Sequence, residues 1–186
     1  MRTVIQGWSD VGFLVRLGIV VLTGVTWAVY SVQAILFRPD YWDPVTAADF
    51  FAVYAYSAAW LLTAASLLTL RKVARPEPAL SSAILVVTVA CAVTGVANGL
   101  EDALGLRGFG PLYVVGVLVA GLGMFAIAAM FRASAARRLT FVPAVGGVAM
   151  VLVTIGGGVL GLVAWLGFGV ILSRERLSAR AAPFAT

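Results

Sequence analysis

The sequence is poor in the residues that most often carry metal, redox or nucleophilic chemistry. It has 186 residues with no histidine, one cysteine and one lysine. The missing histidines exclude His-ligated haem, histidine-cluster iron sites, Ser-His-Asp triads and His-based proton relays. Cys91 alone can form neither an intrachain disulfide nor a Cys-based zinc site. Lys72 is predicted at a helix end, which excludes a retinal Schiff base at the membrane centre. No metal and no cofactor is therefore predicted.

Charge is scarce as well. Only 11% of the residues are charged and 62% are hydrophobic, whereas a soluble domain is typically about 25% charged and about 45–50% apolar. Several apolar runs reach the roughly 18–20 residues that cross a hydrocarbon core as a helix. The runs are continuous and do not alternate, which favours helices over a membrane β-barrel. The sequence therefore predicts an all-α integral membrane protein, with residues 1–186 forming a single polytopic membrane domain.

The apolar runs and their breaks predict a six-helix transmembrane bundle. Loops that contain prolines, basic residues or, between the third and fourth runs, three glycines separate the first four runs. Ser81 or Ser82 is expected to start the third helix, and Thr46 with Asp49 is expected to cap the second in a capping-box arrangement. Gly157/Gly161 and Gly116/Ala120 have the spacing that lets membrane helices pack closely. The predicted helices cover residues 12–37, 47–70, 80–101, 111–131, 139–155 and 158–173.

The last apolar block, residues 139–172, has a second interpretation. As one helix its 34 residues would reach about 50 Å at 1.5 Å per residue, well beyond a hydrocarbon core of about 30 Å. Both flanks are basic and should lie on the same side of the membrane, and Gly156–Gly158 supplies a turn. Six helices are therefore predicted, with five as the alternative.

The positive charges indicate how the chain is oriented. With the N-terminus in the cytoplasm, eleven of the 13 Lys and Arg residues fall in cytoplasmic segments, and the other two, Arg38 and Arg107, fall outside. This bias is typical of the positive-inside rule, so the net charge of +5 is attributed to topology and no nucleic-acid partner is expected. The composition is rich in Ala, Val, Leu, Gly and Arg, which suggests a high-GC bacterial source. The predicted location is the bacterial cytoplasmic membrane, with multiple passes.

Polar residues gather at one place, the stretch Asn98-Gly99-Leu100-Glu101-Asp102 at the end of an apolar run. Thr88, Cys91, Gly95, Asn98 and Asp102 share one helix face by their spacing. A second polar stripe follows helix 2, at Asp49, Tyr56, Trp60 and Thr63, and helix 1 contributes aromatic residues. The predicted orientation places most of these residues near the outer side of the membrane, with Trp27, Trp60 and Thr88 deeper. Hypothetical catalytic residues are Glu101 and Asp102, and the candidate ligand-binding residues are Asn98, Asp49, Tyr54, Tyr56, Trp60, Trp27, Tyr30 and Gln33.

Structural roles compete with these functional ones. Asp49 lies in a first helical turn, where the helix dipole favours an acid. Gln33 and Asn98 could form hydrogen bonds across helices. Thr88 and Thr94 are expected to bond back to their own helix.

Three functions are compatible with this pattern. The favoured one is a non-enzymatic accessory or lipophilic-ligand-binding membrane protein with an outward-facing aromatic and acidic pocket. Its partners would be membrane lipid, a lipophilic small molecule or another membrane subunit. The first alternative is a membrane acid–base enzyme, of isomerase or cyclase type, that uses Glu101 or Asp102 on a lipophilic substrate. The second alternative is a small-solute transporter.

Overall fold

Six α-helices follow one another in the part of the chain that the structure describes. The computed structural model describes residues 8–37, 39–40, 43–74, 76–152 and 157–181, and among these there is no β-strand. A π-helical turn, Gly99–Ala103, continues the third helix, and a short 3-10 turn, Arg137–Leu139, precedes the fifth. The helices are α1 Asp10–Phe37, α2 Ala47–Ala74, α3 Pro78–Asn98, α4 Gly110–Arg132, α5 Phe141–Val151 and α6 Gly158–Ala181.

The helices form a closed ring in chain order. Each helix packs against the next, and α1 packs against α6 to complete the ring. Short loops make neighbouring helices antiparallel. The two ends of the bundle therefore carry different charges. The acidic end holds Asp40, Asp43, Asp49, Glu101 and Asp102, and the basic end holds Arg16, Arg71, Lys72, Arg132 and Arg138.

Five of these helices, α1 to α4 and α6, are long and apolar enough to cross a membrane. Their outward faces remain apolar: Leu14, Val86 and Leu122 are all more than half exposed. An apolar surface of this extent is unusual on a soluble monomer, but it suits contact with lipid chains. The predicted all-α, multi-pass membrane class agrees with these observations.

The last apolar block is divided into two helices that pack against each other. After α5 the Gly157 N–H donates to the Leu152 carbonyl at 2.8 Å, which marks the reversal. The 11 residues of α5 cover only about 16 Å at 1.5 Å per residue, less than a hydrocarbon core of about 30 Å. Gly156, part of the predicted turn, lies outside the described residues.

Helix ends differ from the predicted ones where local chemistry was misread. The prediction that Ser81 or Ser82 starts helix 3 is wrong, because α3 begins at Pro78, with Glu77 at the N-cap. Proline suits the first turn, since its missing N–H needs no partner there. The Ser81 hydroxyl instead accepts a hydrogen bond from Arg71 Nε at 2.8 Å.

The sixth helix runs to Ala181 and not to residue 173. Two ion pairs accompany the extra turns: Glu175 with Arg138, and Arg176 with Asp10. Their partners lie elsewhere in the bundle, and such long-range pairing is not visible in a single apolar run.

Close contact between α1 and α6 depends on a glycine. A Cβ atom on Gly158 would lie 2.4 Å from the Trp27 carbonyl oxygen, so the helix backbones touch at this point. Gly116 similarly packs against Thr94 and Ala90 of α3. Of the residues predicted from small-residue spacing, Gly116 and Gly161 serve helix packing within the chain, since Gly161 meets Trp27 of α1. Gly158 was not among them, and Gly157 packs against the preceding turn at Leu152.

Candidate functional site

A cleft at the acidic end contains both predicted catalytic carboxylates. It has a volume of about 620 Å³ and lies between the α1–α2 connection, the first turns of α2 and the end of α3. We call it the acidic cleft. Its lining residues are Asp43, Pro44, Phe50, Glu101, Asp102, Ala103, Leu104, Gly105 and Arg107.

The carboxylates are positioned by a change in helix type. The α-helix ends at Asn98, and residues Gly99–Ala103 widen into a π-helical turn. Gly105 then adopts a positive φ of 67°, and the Leu106 N–H donates back to the Leu100 carbonyl at 2.9 Å. A left-handed glycine just past the last turn is a common way to end a helix. Single π turns inside helices frequently occur at functional sites.

Glu101 is held against the start of α4. A Cβ atom on Gly110 would lie 3.2 Å from Glu101 Oε2, so the carboxylate lies close to the backbone at the N-terminal end of α4. Glu101 Oε2 is buried and has no hydrogen-bond partner among the described residues. Asp102 is half-buried beside it. Within the described part of the chain neither carboxylate forms a salt bridge, although Arg107 lines the same cleft.

The predicted aromatic residues form a separate, packed group. We call Trp27, Tyr30, Tyr56, Trp60 and Tyr113 the aromatic cluster. The Trp27 and Trp60 ring centroids are 5.5 Å apart in an edge-to-face arrangement, and those of Tyr30 and Tyr56 are 4.7 Å apart. Edge-to-face packing adds about 0.5–1.5 kcal/mol per pair beyond area burial.

Hydrogen bonds hold the aromatic cluster across three helices. The Tyr56 and Tyr113 hydroxyls are 2.9 Å apart and join α2 to α4. Trp27 Nε1 donates to Thr63 Oγ1 at 2.9 Å and joins α1 to α2. Trp27, Tyr30, Tyr56 and Trp60 are all buried, and none of them lines the acidic cleft. The structure thus divides the predicted aromatic and acidic pocket into a packed core and an open cleft.

Two predicted amide residues join helices. Asn98 Nδ2 donates to Ser57 Oγ at 2.9 Å, and Gln33 Nε2 donates to the Ala48 carbonyl at 2.7 Å. Gln33 Oε1 is buried with no hydrogen-bond partner in the described residues. Gln33 also borders an apolar groove of about 450 Å³ between α1 and α2, which Phe37 and Phe51 help to form. The expected interhelical bonds are therefore present.

Asp49 organises the loop that precedes its own helix. The Thr46 N–H and hydroxyl donate to Asp49 Oδ2 at 2.8 and 2.7 Å, and the Asp49 N–H donates back to Thr46 Oγ1 at 3.2 Å. Asp49 Oδ1 accepts from the Asp40 N–H at 3.0 Å. The predicted capping box is confirmed, and its carboxylate is occupied by backbone and hydroxyl donors.

The remaining predicted residues lie on different faces. The Tyr54 side chain is 53% exposed on the outer surface of α2, away from the aromatic cluster. Thr88 and Thr94 donate to the carbonyls of Ile84 and Ala90 in their own helix, each at 2.8 Å, as expected. Tyr41 and Trp42, two aromatic residues between the first and second helices, lie outside the described residues.

The acidic cleft includes residues that sequence reasoning did not select, namely Asp43, Pro44, Phe50, Leu104 and Arg107. The only sequence signal for them was their position in loops at the same end of the bundle. Among the described residues there is no group of three or more acidic or cysteine side chains placed to hold a metal ion.

Comparisons of this chain with protein-family models, curated proteins and solved structures find no match.

Proposed function

We propose that this chain is a multi-pass membrane protein that binds a lipophilic ligand at the acidic cleft without transforming it. The observation that carries the proposal is the buried Glu101 Oε2, which has no hydrogen-bond partner among the described residues. A buried polar atom without a partner is rare and calls for a specific explanation. A hydrogen-bond donor on a ligand would satisfy this oxygen, and Asp102 adjoins it.

The lining of the cleft suggests the ligand's chemistry. Glu101, Asp102 and Asp43 favour a positive or hydrogen-bond-donating head group, and Phe50 and Leu104 offer apolar surface for a lipophilic body. We infer a cationic or donor-bearing amphiphile. The aromatic cluster acts as a scaffold that fixes α1, α2 and α4 around the site.

Binding is favoured over catalysis by a hydroxyl, thiol or amine nucleophile because the described residues that line the cleft include no Ser, Thr, Tyr, Cys or Lys. A nucleophile of that kind acts beside a base that removes its proton. The acid–base enzyme and the transporter stay predictions, without a specific observation in their favour.

We further propose that the acidic end faces outward, that the N-terminus is cytoplasmic and that the protein lies in a bacterial cytoplasmic membrane. The uneven distribution of Lys and Arg supports this orientation. We also propose six crossings, with the short helix α5 as the fifth. The packing of α5 against α6 and the basic residues on both flanks of the pair support that count.

The binding proposal is tested with purified protein in maltoside micelles and the single-chain amine dodecylammonium as the probe. Dodecylammonium should raise the unfolding temperature of the wild-type protein. At ten times its Kd, it should increase the free energy of unfolding by about 1.4 kcal/mol. Glu101→Gln should weaken binding at least tenfold, because a hydrogen bond to a charged group contributes about 1.5–3 kcal/mol. Asp102→Asn should also weaken it.

Glu77→Gln is the matched control, since it removes one acid from an exposed position at the other end of the bundle. Dodecanol, with the same chain but no charge, should bind more weakly than the amine. Equal stabilisation of the wild-type protein and the Glu101→Gln variant would contradict the proposal.

A further inference from the structure

A second cleft opens at the basic end of the bundle. It has a volume of about 680 Å³ and lies between α1, the last turns of α2 and the start of α3. We call it the basic cleft. It combines three cations with apolar walls. The cations are Arg16, Arg71 and Lys72, and the walls include Val15, Ile19 and Leu68.

Two of the cations are held in place by neighbouring side chains. Arg71 Nε donates to Ser81 Oγ at 2.8 Å, which leaves its terminal amino groups for another acceptor. The Arg16 guanidinium lies 4.5 Å from the centre of the Trp8 ring. Neither arginine forms an ion pair with a carboxylate of the described residues. Such groups lose little conformational freedom when they bind an anion, so the cleft is preorganised for negative charge.

The walls of the cleft suit hydrocarbon chains. Val15 and Leu68 are 56% and 42% exposed, and they lie on helices long enough to span a membrane. Ile19 is three residues further into α1 than Arg16, about one helical turn deeper along the helix axis. The surface therefore changes from cationic to apolar along the direction in which a lipid changes from head group to acyl chain.

We propose that the basic cleft binds one anionic phospholipid. Its phosphate would lie among Arg16, Arg71 and Lys72, and an acyl chain would follow the groove between α1 and α2. None of the described lining residues is acidic, so all the charged side chains at the cleft attract an anionic head group and none repels it. Basic pockets between membrane helices commonly recognise anionic head groups. This site lies at the opposite end of the bundle from the acidic cleft and does not depend on the function proposed for that cleft.

The test is native mass spectrometry of the full chain released from maltoside micelles that contain equal amounts of phosphatidylglycerol and phosphatidylcholine with identical chains. The wild-type protein should retain one phosphatidylglycerol in preference to phosphatidylcholine. Arg71→Gln and Lys72→Gln should each lower this preference about fivefold, since each basic residue near an anionic head group contributes about that factor.

Arg132→Gln is the matched control, because Arg132 is an exposed cation at the same end of the bundle but does not line the basic cleft. It should leave the preference unchanged. An equal loss in Arg132→Gln, or no preference in the wild-type protein, would overturn the proposal. If Arg71→Gln does not fold because its bond to Ser81 is lost, Lys72→Gln, at an exposed position, decides the matter.

Soluble glycerol phosphate provides the second arm of the test. It carries the head-group charge without acyl chains, so at millimolar concentration it should displace little phosphatidylglycerol. If glycerol phosphate displaced bound phosphatidylglycerol at the same concentration at which added phosphatidylglycerol does, the acyl chains would contribute nothing to binding. The cleft would then be a simple phosphate site, and the lipid assignment would be wrong.

Discussion

The amide of Asn98 shows how much one side chain contributes to this fold. It is buried near the end of α3 and donates to the Ser57 hydroxyl of α2 at 2.9 Å. The residues that follow it, Glu101 and Asp102, lie at the acidic cleft. Asn98 therefore joins α3 to α2 just before the π turn.

We expect Asn98→Ala to lower the free energy of unfolding by about 0.6–1.7 kcal/mol, which runs from the average to the largest value measured for interhelical hydrogen bonds in membranes. Ser57→Ala should have a similar effect, because it removes the other partner. The measurement is reversible unfolding in mixed micelles of the two single variants and the double variant. The double variant should be less destabilised than the sum of the single ones. Strict additivity would show that the bond contributes nothing.

At the scale of the helix, packing and termination decide where the polar groups lie. The α2–α3 interface is tight because Gly95 faces the α2 backbone, and a Cβ atom there would lie 2.9 Å from the Ser57 carbonyl oxygen. The end of α3 is set by the π turn and by Gly105, which adopts a positive φ. Together these features hold the acidic cleft residues of α3 beside the first turns of α2.

Gly95→Ala should therefore destabilise the bundle by about 1–3 kcal/mol, the usual cost of overpacking. It should also separate α3 from α2. Gly18→Ala is the matched control, because no atom lies within 4 Å of a Cβ at that position. The control should be neutral or slightly stabilising, since alanine favours helix more than glycine does. Thermal unfolding in micelles measures both, and equal midpoints would refute the packing argument.

At the scale of the whole molecule, the ring of helices separates two charged ends. The acidic cleft and the basic cleft lie at opposite ends because neighbouring helices are antiparallel. This polarity follows the uneven distribution of Lys and Arg along the sequence. Two different ligands, one cationic and one anionic, could then bind from opposite membrane surfaces without competing.

The proposed orientation predicts which cysteines an impermeant maleimide can reach in intact cells. Val45→Cys, in the exposed α1–α2 connection, should react from outside, whereas Ser178→Cys, exposed near the end of α6, should react only after permeabilisation. The native Cys91 is fully buried and should contribute little background. The reverse labelling pattern would show that the N-terminus faces outward.

Much of the fold could be predicted because its causes are local. Apolar runs specified where membrane-length helices lie, and the charges at their ends indicated the polarity of the bundle. Thr46 and Asp49 specified a capping box, since its partners are three residues apart in sequence. The end of α6 was predicted too early. The extra turns contain Glu175, which pairs with the distant Arg138, and such a contact cannot be read from a local pattern.

The candidate site depended on tertiary structure. By itself the sequence determined that Glu101 and Asp102 end an apolar run, and it predicted that most of the aromatic candidates lie toward the same end of the bundle. Only the packed helices decided that the aromatic cluster is a closed core while the carboxylates line an open cleft with Phe50 and Arg107. The physical reason is that helical periodicity specifies which residues share a face. The neighbouring helix against which that face packs is decided by side-chain contacts across the whole bundle.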